Sequence, residues 1–207
     1  MESPATASVA PVADHALRGP WSARLVWAST GLRIVLAPIV LALVLAGGHD
    51  LDSASTRLAG VLFAIAAATD FVDGRLARRW ALTSPLGAFL DTTADKLLVT
   101  FALFALVSVG RAAAWIAAII VGREVAVLGL RSVVAVGGQV VEASMWGKLK
   151  ASVQFVAILF AIVRPGGRIA GLYLDEWLLL IAALFSVMSA ADYFARFGAV
   201  LRGHGRT

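Results

Sequence analysis

The stretch that decides the fold is residues 70–96, DFVDGRLARRWALTSPLGAFLDTTADK. It contains Asp70, Asp73, Asp91 and Asp95, which lie beside the ends of apolar runs. A carboxylate is costly inside a membrane, and the carboxylates found there usually serve a function. The spacing of these four aspartates is therefore the first indication of a site as well as of a fold.

The composition indicates an integral membrane protein. Of the 207 residues, 60% are hydrophobic and only 15% are charged, and the mean hydropathy is +0.86. A soluble domain has a more polar composition than this. Six apolar runs occur, at 34–47, 58–69, 97–109, 112–122, 151–163 and 177–191. None reaches the roughly 20 residues of a simple span, so each helix is expected to continue through charged residues at one end.

The predicted fold class is all-α, a polytopic membrane protein with six transmembrane helices. A short interfacial helix is predicted at 21–27, before the first span, because tryptophans suit headgroup depth. Residues 1–20 contain prolines and small residues without an apolar run, and we expect a disordered cytoplasmic tail there. The membrane domain is expected to cover 21–202, followed by a short tail at 203–207.

The basic residues predict the orientation. Lys and Arg concentrate in short cytoplasmic loops, and six spans place both termini on one side. Twelve basic residues fall on that side and four on the other, so we expect the termini and the aspartates to be cytoplasmic. The twelve are Arg18, Arg24, Arg33, Arg75, Arg78, Arg79, Arg131, Lys148, Lys150, Arg196, Arg202 and Arg206.

The aspartates form two helical stripes. Residues three or four apart share a face of an α-helix, which advances about 100° per residue. Thr83 or Ser84 followed by Pro85 is typical of an N-cap and a first helical position, so a short turn is expected to let the two stripes face each other. The first stripe comprises Asp70, Asp73, Gly74 and Ala77, and the second comprises Gly87, Asp91 and Asp95.

Four converging carboxylates predict bound metal ions. They would repel one another strongly unless protons or cations intervened. Oxygen ligands without nearby His or Cys favour Mg²⁺ or Mn²⁺, and two metals about 3.5–4 Å apart are a known device for phosphoryl displacement. Arg75, Arg78 and Arg79 beside the stripe suit phosphate oxygens. We therefore expect two divalent ions on the four aspartates.

Eight positions at fixed spacing carry a resemblance to a known family. They are Asp70-x2-Asp73-Gly74-x2-Ala77-Arg78-x8-Gly87-x3-Asp91-x3-Asp95, and they match the signature of the CDP-alcohol phosphotransferase family without a gap or substitution. The resemblance implies a six-helix membrane enzyme, often a homodimer, with a dinuclear metal site at the cytoplasmic side. Such an enzyme transfers the phosphate-bearing portion of a CDP-linked donor to an alcohol and releases CMP.

Further segments resemble one branch of that family. LDTTADKLLV at 90–99, GREVAVLGLR at 122–131 and ASMWGKLKASVQ at 143–154 are similar to bacterial phosphatidylglycerophosphate synthases, as are Thr30, Arg33 and Pro38 in the first span. That branch joins CDP-diacylglycerol to glycerol 3-phosphate. The resemblance therefore implies these two substrates and a multi-pass protein of the bacterial plasma membrane.

The resemblance also implies roles for single residues. Asp91 and Asp95 are expected to be catalytic, with Asp95 as the general base for the acceptor hydroxyl. All four aspartates are expected to bind metal. The expected donor-binding residues are Asp73, Gly74, Ala77, Arg78, Gly87, Thr30 and Arg33.

Basic residues of the later spans predict the acceptor site. Arg131 is expected to end the fourth span on the cytoplasmic side, and Lys148 and Lys150 to begin the fifth, so all three could converge near the aspartates with Arg123. Their charge suits the phosphate of the acceptor. Two plainer interpretations stay open: Arg123 and Glu124 could simply neutralise each other, and the two lysines could be topology anchors.

Two other functions stay open at this point. The same chemistry could act on another acceptor, such as inositol phosphate, serine or phosphatidylglycerol. The carboxylates could instead form a cation pathway in a non-enzymatic carrier, although carrier sites tend toward the membrane midplane. The chain has no cysteine, which excludes disulfides and thiolate ligands, and it has no nucleic-acid-binding motif.

Overall fold

The computed structural model describes the backbone of residues 20–80, 85–136 and 145–203 and the side chains of 28–69, 90, 92–132 and 149–196. Six helices and one two-stranded hairpin occupy these ranges, so the predicted all-α fold is confirmed. The helices are α1 (Pro20–Gly47), α2 (Ala54–Trp80), α3 (Pro85–Ser108), α4 (Ala114–Val136), α5 (Met145–Val163) and α6 (Leu174–Gly203), and the strands are β1 (Arg168–Ile169) and β2 (Leu172–Tyr173).

The N-terminal part of α1 differs from the prediction. Residues 21–27 do not form a separate interfacial helix, because α1 runs from Pro20 to Gly47 as one helix. Nothing at 27–30 ends a helix: Trp27, Ala28, Ser29 and Thr30 contain neither proline nor glycine. Of the predicted tails at 1–20 and 203–207, Pro20 belongs to α1 and Gly203 to α6, and the other residues lie outside the described ones.

Two of the described helices are long and apolar enough to cross a membrane. They contain the segments Ala28–Gly47, with mean hydropathy 2.1, and Leu174–Arg196, with mean hydropathy 1.9. Shorter apolar segments occupy Ala54–Thr69 and Leu149–Val163. By length and composition alone, a membrane protein is therefore plausible, while six spans stay a prediction.

Local signals explain where the helices begin. The Ser53 hydroxyl accepts the Thr56 backbone N–H at 3.1 Å, which caps α2. Pro85 occupies the first position of α3, as predicted. At the start of α6, the Glu176 carboxylate accepts the Tyr173 N–H at 2.8 Å, the second half of a capping box.

The helices pack as two groups joined by a shared core. α1 packs against α2 and α3, while α6 packs against α4 and α5. Contacts between α2 and α5 join the groups, where the rings of Phe63 and Phe155 lie 5.9 Å apart. The core is mostly small and branched side chains, including Val40, Ala59, Leu103, Ile120, Ile158 and Ala182.

Two arginines hold together the loops at the end of the bundle away from the aspartates. Arg111 donates to the carbonyl oxygens of Ile162 at 2.8 Å and Gly48 at 2.7 Å. Arg164 donates to the Asp175 carboxylate at 2.9 and 3.1 Å. These buried and partly buried bonds join the turns after α1, α3 and α5 to the start of α6, so the loops at this end are held together.

The close contact between the end of α1 and the start of α2 generates a prediction for Gly47→Ala. An added Cβ would clash with the Thr56 hydroxyl, and it would lie 2.9 Å from Ser53 Oγ and 3.2 Å from the Thr56 backbone nitrogen. Overpacking of this kind costs about 1–3 kcal/mol, so the thermal unfolding midpoint in detergent should fall.

Gly129→Ala is the matched control, because it also lies within a helix and nothing approaches its added Cβ within 4 Å. It should leave the midpoint unchanged or raise it, since alanine favours helix over glycine. Equal midpoints for the two variants would contradict the predicted clash.

Candidate active site

The described backbone places the predicted aspartates on two helices. Asp70 and Asp73 lie in α2, and Asp91 and Asp95 lie in α3. Their helical spacing gives each pair a common face, as the sequence predicts. The side chains of Asp70, Asp73 and Asp91 are outside the described set, so their convergence on metal stays a prediction, as do the donor contacts of Gly74, Ala77, Arg78 and Gly87.

Asp95 lines a small polar cavity. The cavity lies between α3, α4 and α5, and its volume is about 20 Å³, enough for one water molecule. Five of its eight lining residues are charged or polar. They are Asp95, Lys96, Glu124, Lys150 and Gln154, with Val99, Ala151 and Phe155 completing the lining. The predicted general base therefore shares a cavity with one of the predicted acceptor residues, Lys150.

A buried carboxylate, Glu124 of α4, joins three cations beside this cavity. Its Oε2 accepts from Lys96 Nζ at 2.9 Å. Its Oε1 accepts from Arg123 at 3.2 Å and from Lys150 Nζ. We call these four residues the Glu124 cluster. It links α3, α4 and α5, and it contains three positive charges against one negative charge.

The Glu124 cluster is largely shielded from solvent. The side chains of Arg123, Glu124 and Lys150 are 9%, 9% and 6% exposed, whereas Lys96 is 24% exposed. Burial makes an unpaired charge very costly, so ionised groups at such depth need partners. Lys96 is the most accessible member and marks the side from which a ligand could approach.

Arg123 extends the cluster to α6. Its NH2 group donates to Ser189 Oγ at 2.6 Å, and its guanidinium lies 5.7 Å from the centre of the Tyr193 ring, within cation–π range. Ser189 and Tyr193 are both buried. Arg123 and Glu124 do pair, as one of the two open interpretations requires, but each of them also binds other helices.

The structure gives less information about the other two predicted acceptor residues, Arg131 and Lys148. Arg131 is partly buried and lies near the end of α4, five residues before Val136. Lys148 lies in the first turns of α5, but its side chain is outside the described set. The structure therefore brings Arg123 and Lys150 together and leaves Arg131 and Lys148 as predictions.

Thr30 and Arg33 of α1, which are predicted to bind the CDP-linked donor, face the protein interior. Thr30 is 4% exposed and Arg33 is fully buried. An arginine is rarely buried without a partner of opposite charge or a ligand. The burial of Arg33 is consistent with a polar site inside the bundle, and its role as a donor contact stays a prediction.

The sequence reasoning missed four residues of this region: Lys96, Gln154, Ser189 and Tyr193. Glu124 was noticed only as a partner of Arg123. A signal was present for Lys96 and Glu124, because charged residues within apolar helices are usually paired or functional. Ser189 and Tyr193 carried no such signal, since their roles depend on how α6 packs against α4.

The donor chemistry of the predicted metal site fits a hard divalent ion. All four expected ligands are carboxylates, which suit Mg²⁺ or Mn²⁺. Among the residues whose side chains are described, no group of three His, Cys, Asp or Glu could hold a metal. Of the four ligands, that set includes only Asp95, so the number of ions and their geometry stay predictions.

Comparison with known proteins gives one family and a consistent set of relatives. The family described as CDP-alcohol phosphatidyltransferase matches residues 27–188. A Bacillus subtilis (strain 168) protein named CDP-diacylglycerol–glycerol-3-phosphate 3-phosphatidyltransferase is 40% identical over 174 residues, covering 79% of this chain and 90% of the relative.

Two further relatives carry related names. A Pseudomonas fluorescens protein with the same name is 35% identical over 183 residues, covering 86% of this chain and 91% of the relative. A Mycobacterium tuberculosis (strain ATCC 25618 / H37Rv) protein named probable phosphatidylglycerophosphate synthase is 40% identical over 169 residues, covering 81% of this chain and 78% of the relative. The similarity spans most of each chain, and the family match at 27–188 covers the segment that contains the aspartates and the Glu124 cluster.

The contacts of Arg123 generate a prediction for Arg123→Lys. Lysine keeps the charge but cannot present the planar fork that reaches Glu124, Ser189 and the Tyr193 ring together. Losing buried bonds to a charged group costs about 1–3 kcal/mol, so the thermal unfolding midpoint should fall. Arg196→Lys is the control, because Arg196 is exposed and pairs only with Asp192 among the described residues. Equal midpoints for the two variants would show that the Arg123 contacts do not stabilise the bundle.

Proposed function

This chain belongs to the CDP-alcohol phosphatidyltransferase family, and on that premise we propose that it is a phosphatidylglycerophosphate synthase. It transfers the phosphatidyl group of CDP-diacylglycerol to glycerol 3-phosphate and releases CMP, a step of phospholipid biosynthesis. The observation that carries the proposal is relatives with this named activity at 35–40% identity over most of both chains.

The reaction is a direct displacement at phosphorus. A hydroxyl of glycerol 3-phosphate attacks the phosphatidyl phosphorus while the bond to CMP breaks. Asp95 accepts the hydroxyl proton as general base, and its position on the polar cavity supports this role. Asp91, one helical turn earlier on α3, is the second catalytic aspartate.

Asp70, Asp73, Asp91 and Asp95 would hold two Mg²⁺ or Mn²⁺ ions. Bound ions would supply positive charge to the donor pyrophosphate and to the leaving CMP. The α2 and α3 backbone spacing and the carboxylate donor set support this assignment.

Donor and acceptor occupy different sides of the aspartates in this proposal. The donor contacts Asp73, Gly74, Ala77, Arg78 and Gly87, together with Thr30 and Arg33 of α1. The acceptor phosphate is held by basic residues of α4 and α5 through charge-assisted hydrogen bonds. These are Arg123, Arg131, Lys148 and Lys150, of which Arg123 and Lys150 share the Glu124 cluster.

The lengths of the helices support six spans of a bacterial plasma membrane. The shortest, α5, has 19 residues, and at about 1.5 Å per residue it matches a hydrocarbon core of about 30 Å. Large apolar side chains such as Val35, Val61, Val125 and Leu184 are more than half exposed, which suits contact with lipid. The termini and the active site are cytoplasmic, and the protein is a homodimer.

CMP release tests the proposal. The purified chain should release CMP from CDP-diacylglycerol only when Mg²⁺ or Mn²⁺ and an acceptor are both present, and glycerol 3-phosphate should be used far better than inositol phosphate, serine or phosphatidylglycerol. Preference for another acceptor would overturn the substrate assignment. No CMP release with any acceptor would favour a cation carrier.

Asp91→Asn identifies the source of that activity. The variant keeps the side-chain size but removes a charged ligand, so metal-dependent CMP release should fall by at least roughly a hundredfold, as for loss of one essential catalytic group. Asp52→Asn is the matched control, because Asp52 is an exposed residue of the turn between α1 and α2, at the opposite end of α2 from Asp70 and Asp73, and it should retain wild-type activity. Substantial turnover by Asp91→Asn would refute the metal assignment.

Accessibility labelling tests the orientation. Single cysteines can be introduced without interference because the chain has none. An impermeant reagent should label positions 50–55 from outside the cell and positions 81–84 only after the membrane is opened, since the positive residues near 75–79 favour the cytoplasm. The reverse pattern would overturn the predicted topology.

A further inference from the structure

The Glu124 cluster has more positive charge than its own carboxylate balances. Lys96, Arg123 and Lys150 come from three positions distant in sequence and meet at one buried carboxylate. Burying like charges together is unfavourable unless an opposite charge compensates them. Asp95, which lines the same cavity, supplies a second carboxylate, so three cations face two carboxylates and an anionic ligand would balance the remaining positive charge.

The cations of the cluster also have N–H donors that Glu124 does not use. Glu124 takes one donor from each lysine, and each ammonium has three. Arg123 Nε is buried and, within the described residues, has no hydrogen-bond partner. A buried donor without an acceptor costs about 1–3 kcal/mol, so a ligand with several oxygen acceptors would stabilise the array.

Glu124 itself is unsuited to bind such a ligand. Its two oxygens are both occupied by cations, and a carboxylate repels a phosphate. Glu124 instead positions the three cations. One of its oxygens binds Arg123 and Lys150, and the other holds Lys96 beside the cavity that Asp95 lines. Without it, the three cations would repel one another and separate.

We infer that Glu124 is a positioning residue for the acceptor, and that Lys96 is a further acceptor-phosphate residue beside Arg123 and Lys150. The inference rests on the proposed function, because it takes the acceptor to be a phosphomonoester. The array holds the acceptor phosphate on the accessible Lys96 side of the Asp95 cavity, which itself has room for only one water molecule, so that the attacking hydroxyl lies near the general base.

Steady-state kinetics on the full chain in CDP-diacylglycerol mixed micelles test this role. Glu124→Gln keeps the size and removes the charge, so the KM for glycerol 3-phosphate should rise roughly tenfold or more while the KM for CDP-diacylglycerol changes little. Glu124→Asp keeps the charge at shorter reach and should recover part of the loss. Asp52→Asn, a carboxylate-to-amide change in the exposed turn between α1 and α2, should leave both KM values unchanged.

Lys96→Met is a second variant. It removes one cation and keeps Glu124, so it does not leave the cations without their carboxylate, which could cause misfolding. It leaves Glu124 paired with Arg123 and Lys150, and it should raise the same KM selectively. A merely structural role would lower the amount of active enzyme and leave both KM values as they are. Unchanged KM for glycerol 3-phosphate in both variants, or equal effects on donor and acceptor, would overturn the inference.

The wild-type protein separates the two possible failures. If it does not release CMP in response to glycerol 3-phosphate, the proposed function is wrong, and this inference falls with it. If wild type is active and the variants keep its KM for glycerol 3-phosphate, only the inference is wrong.

Discussion

The buried carboxylate of Glu124 is the interaction on which the described polar end of the bundle depends. It binds Lys96 of α3 and Lys150 of α5 as well as its neighbour Arg123. A buried charge tolerates little displacement from its partners, because breaking a buried pair leaves an uncompensated ion. The rotation of α3 about its axis is therefore coupled to α4 and α5, and Asp95 is positioned along with Lys96.

The two ends of the bundle use arginine differently. At the end away from the aspartates, Arg111 and Arg164 bind backbone carbonyls and Asp175, so their donors serve to hold loops together. At the polar end, Arg123 is anchored to Ser189 and Glu124 yet keeps a buried donor without a described partner. No buried nitrogen of Arg111 or Arg164 lacks a described partner, although the Asp175 Oδ1 atom beside them does, whereas Arg123 keeps one buried N–H that could bind a ligand. This unused arginine donor supports placing the chemistry at the polar end.

Much of the fold could be predicted from the sequence because each of the six apolar runs indicates a helix. The prediction was wrong at the start of α1, where one continuous helix replaces the separate interfacial helix expected at 21–27. The helices do continue through charged residues as expected, since α4 passes Arg123, Glu124 and Arg131. Pro85 marked the start of α3 correctly because its fixed backbone angle and missing N–H suit the first turn.

Only those features of the site that involve residues close together in sequence could be predicted. The aspartate stripes follow from spacing within one helix, and the neighbours Arg123 and Glu124 could be recognised as a pair. The Glu124 cluster depends on contacts 26 and 28 residues apart in sequence, and Ser189 lies 66 residues from Arg123. Such contacts follow from how the helices pack, which a single sequence does not reveal.

A structure of the full chain with Mn²⁺ and glycerol 3-phosphate bound would test most directly whether this polar end is the active site. We expect the acceptor phosphate within hydrogen-bonding distance of Lys96, Arg123 or Lys150, its hydroxyl facing Asp95, and manganese bound beside the same aspartate. Phosphate bound elsewhere, with the Glu124 cluster unchanged and closed to it, would contradict the proposed acceptor site.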